Sequence, residues 1–141
     1  MRKLLAPTGL AVLAAVALAP GGAGAATKVY WPGCGAFDKP AFKPKKIILT
    51  CGDGSTTVQK IKWSAWGTDE AMGTGTFRIN QCQPTCSNGS IKKYPVTLRL
   101  YRPKSCPEAD RREWSRLRFN FPKKHPKAYS RKNKQKLRCA D

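Results

Sequence analysis

An all-β fold, a small β-sandwich or partial barrel of five to seven short strands, is what this chain predicts. Apolar and polar residues alternate with period two at Leu98 and Leu100 and at Leu117, Phe119 and Phe121, and no window sustains a helical period. Turn-forming residues separate these runs at short intervals. The six cysteines, Cys34, Cys51, Cys82, Cys86, Cys106 and Cys139, are an even set able to staple a small domain as disulfides.

The elements follow in order. Residues 1–25 read as a secretory signal peptide: Arg2 and Lys3 supply the positive start, residues 10–19 are unbroken apolar, and Ala23-Gly24-Ala25 offers the small residues a signal peptidase needs. The apolar run is shorter than the roughly 20 residues a spanning helix takes, and no later segment is more apolar. The mature product is therefore expected outside the cell. Removing 25 of the 141 residues leaves 116, enough for one core. Residues 27–46 are an irregular lead-in, interrupted by Pro32, Pro40 and Pro44. Residues 46–51 and 57–64 read as strands joined by the turn Gly52-Asp53-Gly54-Ser55, whose glycines accept positive φ. A loop over 66–73 leads to a third strand at 74–80, and the cysteine-bearing loop 81–90 to strands at 95–102 and 113–121. The expected division is a β domain over 26–121 and a basic C-terminal tail over 122–141.

Six cysteines permit fifteen pairings. The expected arrangement keeps Cys51, Cys82, Cys86 and Cys106 within the β body and joins Cys34 to Cys139. The competing use is zinc, since Cys82 and Cys86 have a C-x3-C spacing. That reading lacks a second ligand pair, and the sole histidine, His125, lies among lysines and prolines. No metal or cofactor is expected.

Charge is the strongest functional signal. The mature chain carries 25 basic against 8 acidic residues, a net of +17, and residues 111–141 alone hold a net of +10. Strand parity sharpens this. If Ile61, Phe77, Leu98, Leu100, Leu117, Phe119 and Phe121 face inward, then Lys60, Lys62, Arg78, Arg99, Arg116 and Arg118 face outward with Tyr101. The tail adds Lys123, Lys124, Lys127, Arg131, Lys132, Lys134, Lys136 and Arg138. These fourteen cations are the predicted contacts for an anionic polymer or surface: a cell-wall polyanion, an anionic lipid or extracellular nucleic acid. The bland alternative is a solvated face and a solubilising tail. Trp63 shares parity with Ile61 and is expected in the core; Trp66 suits either packing or ligand stacking.

Four motifs in order, Cys51-Gly52-Asp53-Gly54, Trp63-Ser64-Ala65-Trp66-Gly67, Ala71-Met72-Gly73-Thr74-Gly75 and Cys82-Gln83-Pro84-Thr85-Cys86-Ser87-Asn88-Gly89, resemble small secreted actinobacterial proteins of uncharacterised function. The resemblance covers residues 44–121 and implies a domain type without an activity. The basic tail and Cys139 lie outside it. Catalysis finds no motif: the acidic residues are scattered, Asp69-Glu70 being the only adjacent pair, and neither a phosphate-cradling loop nor a G-x-S-x-G elbow occurs. The chain is not expected to be an enzyme. A polyanion-binding protein leads, a protease inhibitor presenting the loop between Cys82 and Cys86 is the alternative, and a hydrolase without a recognisable motif comes third.

Overall fold

The computed structural model describes residues 27–35 and 37–140, so the expected signal segment, residues 1–25, lies outside the described residues. Seven strands, β1 (Val29–Tyr30), β2 (Ile47–Ile48), β3 (Thr56–Trp66), β4 (Glu70–Asn80), β5 (Ile91–Cys106), β6 (Arg111–Asn120) and β7 (Lys132–Lys136), form one sheet. A 3-10 turn, Pro107–Ala109, is the only helical element among the described residues. The lateral order is β1-β6-β5-β4-β3-β2, with β7 also on β6, and the sheet curls into a half-barrel. The fold is thus the partial-barrel form of the expected all-β class. Strands β2 to β7 run as an antiparallel meander, and β1 lies parallel to β6.

Local chemistry explains the turns. In the β2–β3 connection the Ser55 amide donates to Asp53 Oδ1 at 2.9 Å, and Gly54 takes φ +65°. The expected loop over 66–73 is only a tight turn, closed by the Gly67 amide on the Glu70 carbonyl at 2.8 Å. Strands β3 and β4 therefore extend to Trp66 and from Glu70. Strand β5 likewise begins at Ile91, ahead of Pro95; its pairing with β6 starts only at Thr97, so it is an edge on that side where proline sits.

A bulge in β3, with Lys60 at φ 53°, breaks the register between Gln59 and Lys62. It stacks Val58 and Ile61 over Gly75, where a Cβ would lie 2.7 Å from Val58 Cγ1. Gly73 is similarly covered, a Cβ there falling 2.8 Å from the Lys62 carbonyl oxygen and from Trp63 Cε3. The Gly73-Thr74-Gly75 motif is the floor that lets the bulged, tryptophan-bearing strand close down on β4.

The core fills the concave side. All seven residues expected to face inward are buried: Ile61, Phe77, Leu98, Leu100, Leu117, Phe119 and Phe121. Phe77 meets Phe121 edge-on at 5.0 Å and Tyr129 at 5.1 Å, geometries worth about 0.5–1.5 kcal/mol per pair beyond area burial. At the other end Trp63 and Trp66 meet edge-on at 4.7 Å, and Trp66 packs on the buried Trp114. Both partly buried indoles donate to backbone carbonyls, Trp63 to Pro44 at 2.8 Å and Trp66 to Val29 at 3.1 Å. Packing is the role of both.

The disulfides are Cys34–Cys51, Cys82–Cys86 and Cys106–Cys139, and no cysteine is free. The expected pairing of Cys34 with Cys139 is corrected. Cys34 pins the lead-in to the β2–β3 turn, and within the lead-in its amide donates to the Asp38 carbonyl at 2.7 Å. Cys139 meets Cys106 because β7 returns along β6 to the end of β5. Beside that bridge the fully buried Glu113 receives Arg111 Nε at 2.8 Å and the Ala140 amide at 2.9 Å, which anchors the C-terminal segment. The basic tail thus contributes a strand, the buried Leu137 and a disulfide to the body.

Candidate anion-binding face

The convex side of the half-barrel carries a cationic ladder. Arg99 on β5 stands opposite Arg118 on β6, which stands opposite Lys134 on β7. In the next row Tyr101, Arg116 and Lys136 are aligned in the same way, and below them Thr97, Asn120 and Lys132. Neighbouring strands are about 4.8 Å apart and same-face residues about 6.8 Å apart along a strand. Six cations therefore occupy an area of roughly 10 by 14 Å.

Three local features set the chemistry of this face. Tyr101 serves both arginines, with Arg118 Cζ at 5.1 Å and Arg99 Cζ at 5.4 Å from its ring centroid. That contact orients the guanidinium groups, and Arg118 Nε is buried behind it without a hydrogen-bond partner. Arg116 is steadied by its Nη1 on the Ser115 carbonyl at 2.9 Å. Among the described residues the only carboxylate that cross-strand pairing brings to the ladder is Glu70, opposite Tyr101, and it accepts from Arg99 Nε at 2.9 Å.

The remaining predicted cations divide. Lys62 lies on the same face, opposite Thr74, but Thr74, Thr97 and Asn120 separate it from Lys132. Lys60 is exposed on the bulge, apart from the ladder. Arg78 sits opposite Lys93 near the end of the hairpin, with its Nη1 on Gln59 Oε1 at 2.9 Å. Lys123, Lys124, Lys127 and Arg131 gather around a separate cleft at the end of the half-barrel, and Arg138 lies near the Cys34–Cys51 bridge. The single predicted patch is therefore a ladder, a cleft and a few outlying cations.

Parity identified Arg99, Arg116, Arg118 and Tyr101 as partners. It did not reveal that Lys132, Lys134 and Lys136 complete the same rows, nor that Lys92 turns to the concave side. The detectable signal for the first was strict alternation of lysine with Asn133, Gln135 and Leu137. Among the described residues one group of metal-ligand types converges, Cys106, Glu113 and Cys139; the two sulfurs are bonded to each other, which leaves Glu113 alone. No helix among the described residues is long and apolar enough to cross a membrane. No protein-family model, no curated protein and no solved structure matches the chain.

Proposed function

We propose that this is an exported protein that binds extended polyanions through the β5–β7 ladder. The observation that carries the reading is the alignment of Arg99, Arg116, Arg118, Lys132, Lys134 and Lys136 on three adjacent strands with one carboxylate beside them. Ordinary solvated faces intersperse both signs of charge. Cations spaced by a few ångströms in two directions suit a chain of closely spaced phosphates or sulfates better than an isolated anion. The signal sequence and three disulfides support an oxidising, extracellular setting.

Binding to a labelled single-stranded oligonucleotide, a teichoic-acid-type polymer and anionic vesicles, each measured from low to high salt, tests the proposal. Salt-sensitive binding to at least one polymer that weakens in the double variant Arg116→Gln, Arg118→Gln is expected; binding to vesicles alone would transfer the site to a lipid surface. Absence of polyanion binding at physiological salt refutes it. The small exposed ring closed by Cys82–Cys86 supports the rival reading of a protease inhibitor, whose mark is tight inhibition that survives high salt. Export is checked by intact mass, which should show a mature start at Ala26 or Thr27.

A further inference from the structure

A second concavity lies on the opposite side of the sheet from the ladder, where the core runs out. Phe77 pairs with Tyr94 and Ile79 with Lys92, so Tyr94 and Lys92 continue the inward side of β5 beyond the buried Val96 and Leu98. The segment joining β6 to β7 crosses in front of them and is firmly held. Its Pro126 is buried, the Tyr129 amide donates to the Pro126 carbonyl at 3.1 Å, and the Tyr129 ring packs against Phe77 and Phe119. The Phe121 amide on the Arg131 carbonyl at 2.9 Å closes its base.

Between this segment and the end of the β4–β5 hairpin is an open cleft of about 1210 Å³. Among the described residues Lys92, Lys123, Lys124, Lys127 and Arg131 line it, no carboxylate does, and Ile79 and Tyr94 supply apolar surface. We infer that the cleft is a second binding site, for a compact ligand bearing several phosphoryl or sulfuryl groups. Five like charges around one concavity repel one another, and low-dielectric walls concentrate their field on whatever anion enters. A single carboxylate would neutralise one of the five, whereas a ligand of three or more charges balances most of them. The volume slightly exceeds the usual 300–1,000 Å³ of small-molecule pockets, and the Tyr94 ring offers a surface for the carbon skeleton. The site shares no residue with the ladder and does not rest on the polymer reading.

Calorimetric titration of the oxidised full-length mature protein with tripolyphosphate and, separately, with a sulfated disaccharide tests the inference and distinguishes the two chemistries. Lys123→Gln, Lys124→Gln and Lys127→Gln are exposed changes that leave Pro126 and Tyr129 in place. Together they should weaken the bound probe at least tenfold, while Arg116→Gln with Arg118→Gln changes its affinity less than twofold. The Tyr94 ring resonances should shift during the titration of the unsubstituted protein. Binding of neither probe at millimolar concentration overturns the inference. So does equal affinity in the triple variant, an equal loss in the ladder variant, or a Tyr94 signal that does not move.

Discussion

Glu70→Gln should make this protein a better polyanion binder and a more salt-sensitive one. Six cations form the ladder, but Glu70 occupies Arg99 through an ion pair of 2.9 Å between side chains that are 45% and 47% exposed. Such a surface pair contributes about 0.2–1 kcal/mol, so losing it costs little stability and releases one cation. For a single-stranded polymer, each phosphate neutralised contributes about −0.7 to the slope of log K against log salt. Five free cations then give a slope of about −3.5 and six give about −4.2. Arg116→Gln with Arg118→Gln leaves three, for about −2.1. Over a tenfold rise in salt the unsubstituted protein should lose affinity by roughly 3,000-fold and the double variant by only about 100-fold. Fluorescence anisotropy with labelled oligothymidylate gives all three slopes, and thermal melts confirm that each variant is folded. If Glu70→Gln is no steeper and the double variant no flatter, the ladder is not the contact surface.

Gly73→Ala places a methyl group against the Lys62 carbonyl and the Trp63 ring and should destabilise the fold by about 1–3 kcal/mol in urea unfolding; unchanged stability would show that the bulge relaxes. Replacing Cys106 and Cys139 by serine opens a closure of 33 residues, for which chain entropy gives a loss of about 4 kcal/mol, and hydrogen exchange should then be fastest in β7. Asp53 is held below its ordinary carboxyl value of 3.8, first by the Ser55 backbone amide, then by the Ser55 and Thr50 hydroxyls. Its contribution to stability is therefore present above 3.8 and is lost as pH falls through the folded value, so a carboxyl titration by NMR should show a depressed midpoint and Asp53→Asn a flatter acid limb.

The core was legible because a half-buried strand writes its inward face as every second residue. Leu98, Leu100, Leu117, Phe119 and Phe121 obey that rule and all are buried. Strand β7 was not legible, since two of its inward positions are Asn133 and Gln135. Their amides satisfy backbone carbonyls, Asn133 that of Ser130 at 2.6 Å and Gln135 that of Leu49 at 3.1 Å, so polar residues do what apolar ones usually do. A lysine-rich stretch without an apolar stripe reads as a solvated tail until its partner strand is known. The cysteine pairing failed for the same reason: placing Cys139 beside Cys106 requires the path of β7. Parity likewise could not see Lys60 leave its row, because a bulge adds a residue without changing composition.

The lysines of β7 also bear on how these molecules behave toward one another. Beyond the span that β1 covers, β7 is the outermost strand on its side of the sheet, and no strand among the described residues pairs with its far rim, which faces the β2 end through Gln135 on the Leu49 carbonyl. Lys132, Lys134 and Lys136 place a positive charge at every second step along that rim, so a second copy approaching to extend the sheet meets its own charge. The opposite margin is β2, only two residues long, too short a template to recruit a strand. Concentrated solutions should therefore stay dispersed at low ionic strength, and neutralising the three lysines should favour edge-to-edge association of half-barrels, visible as growth in light scattering.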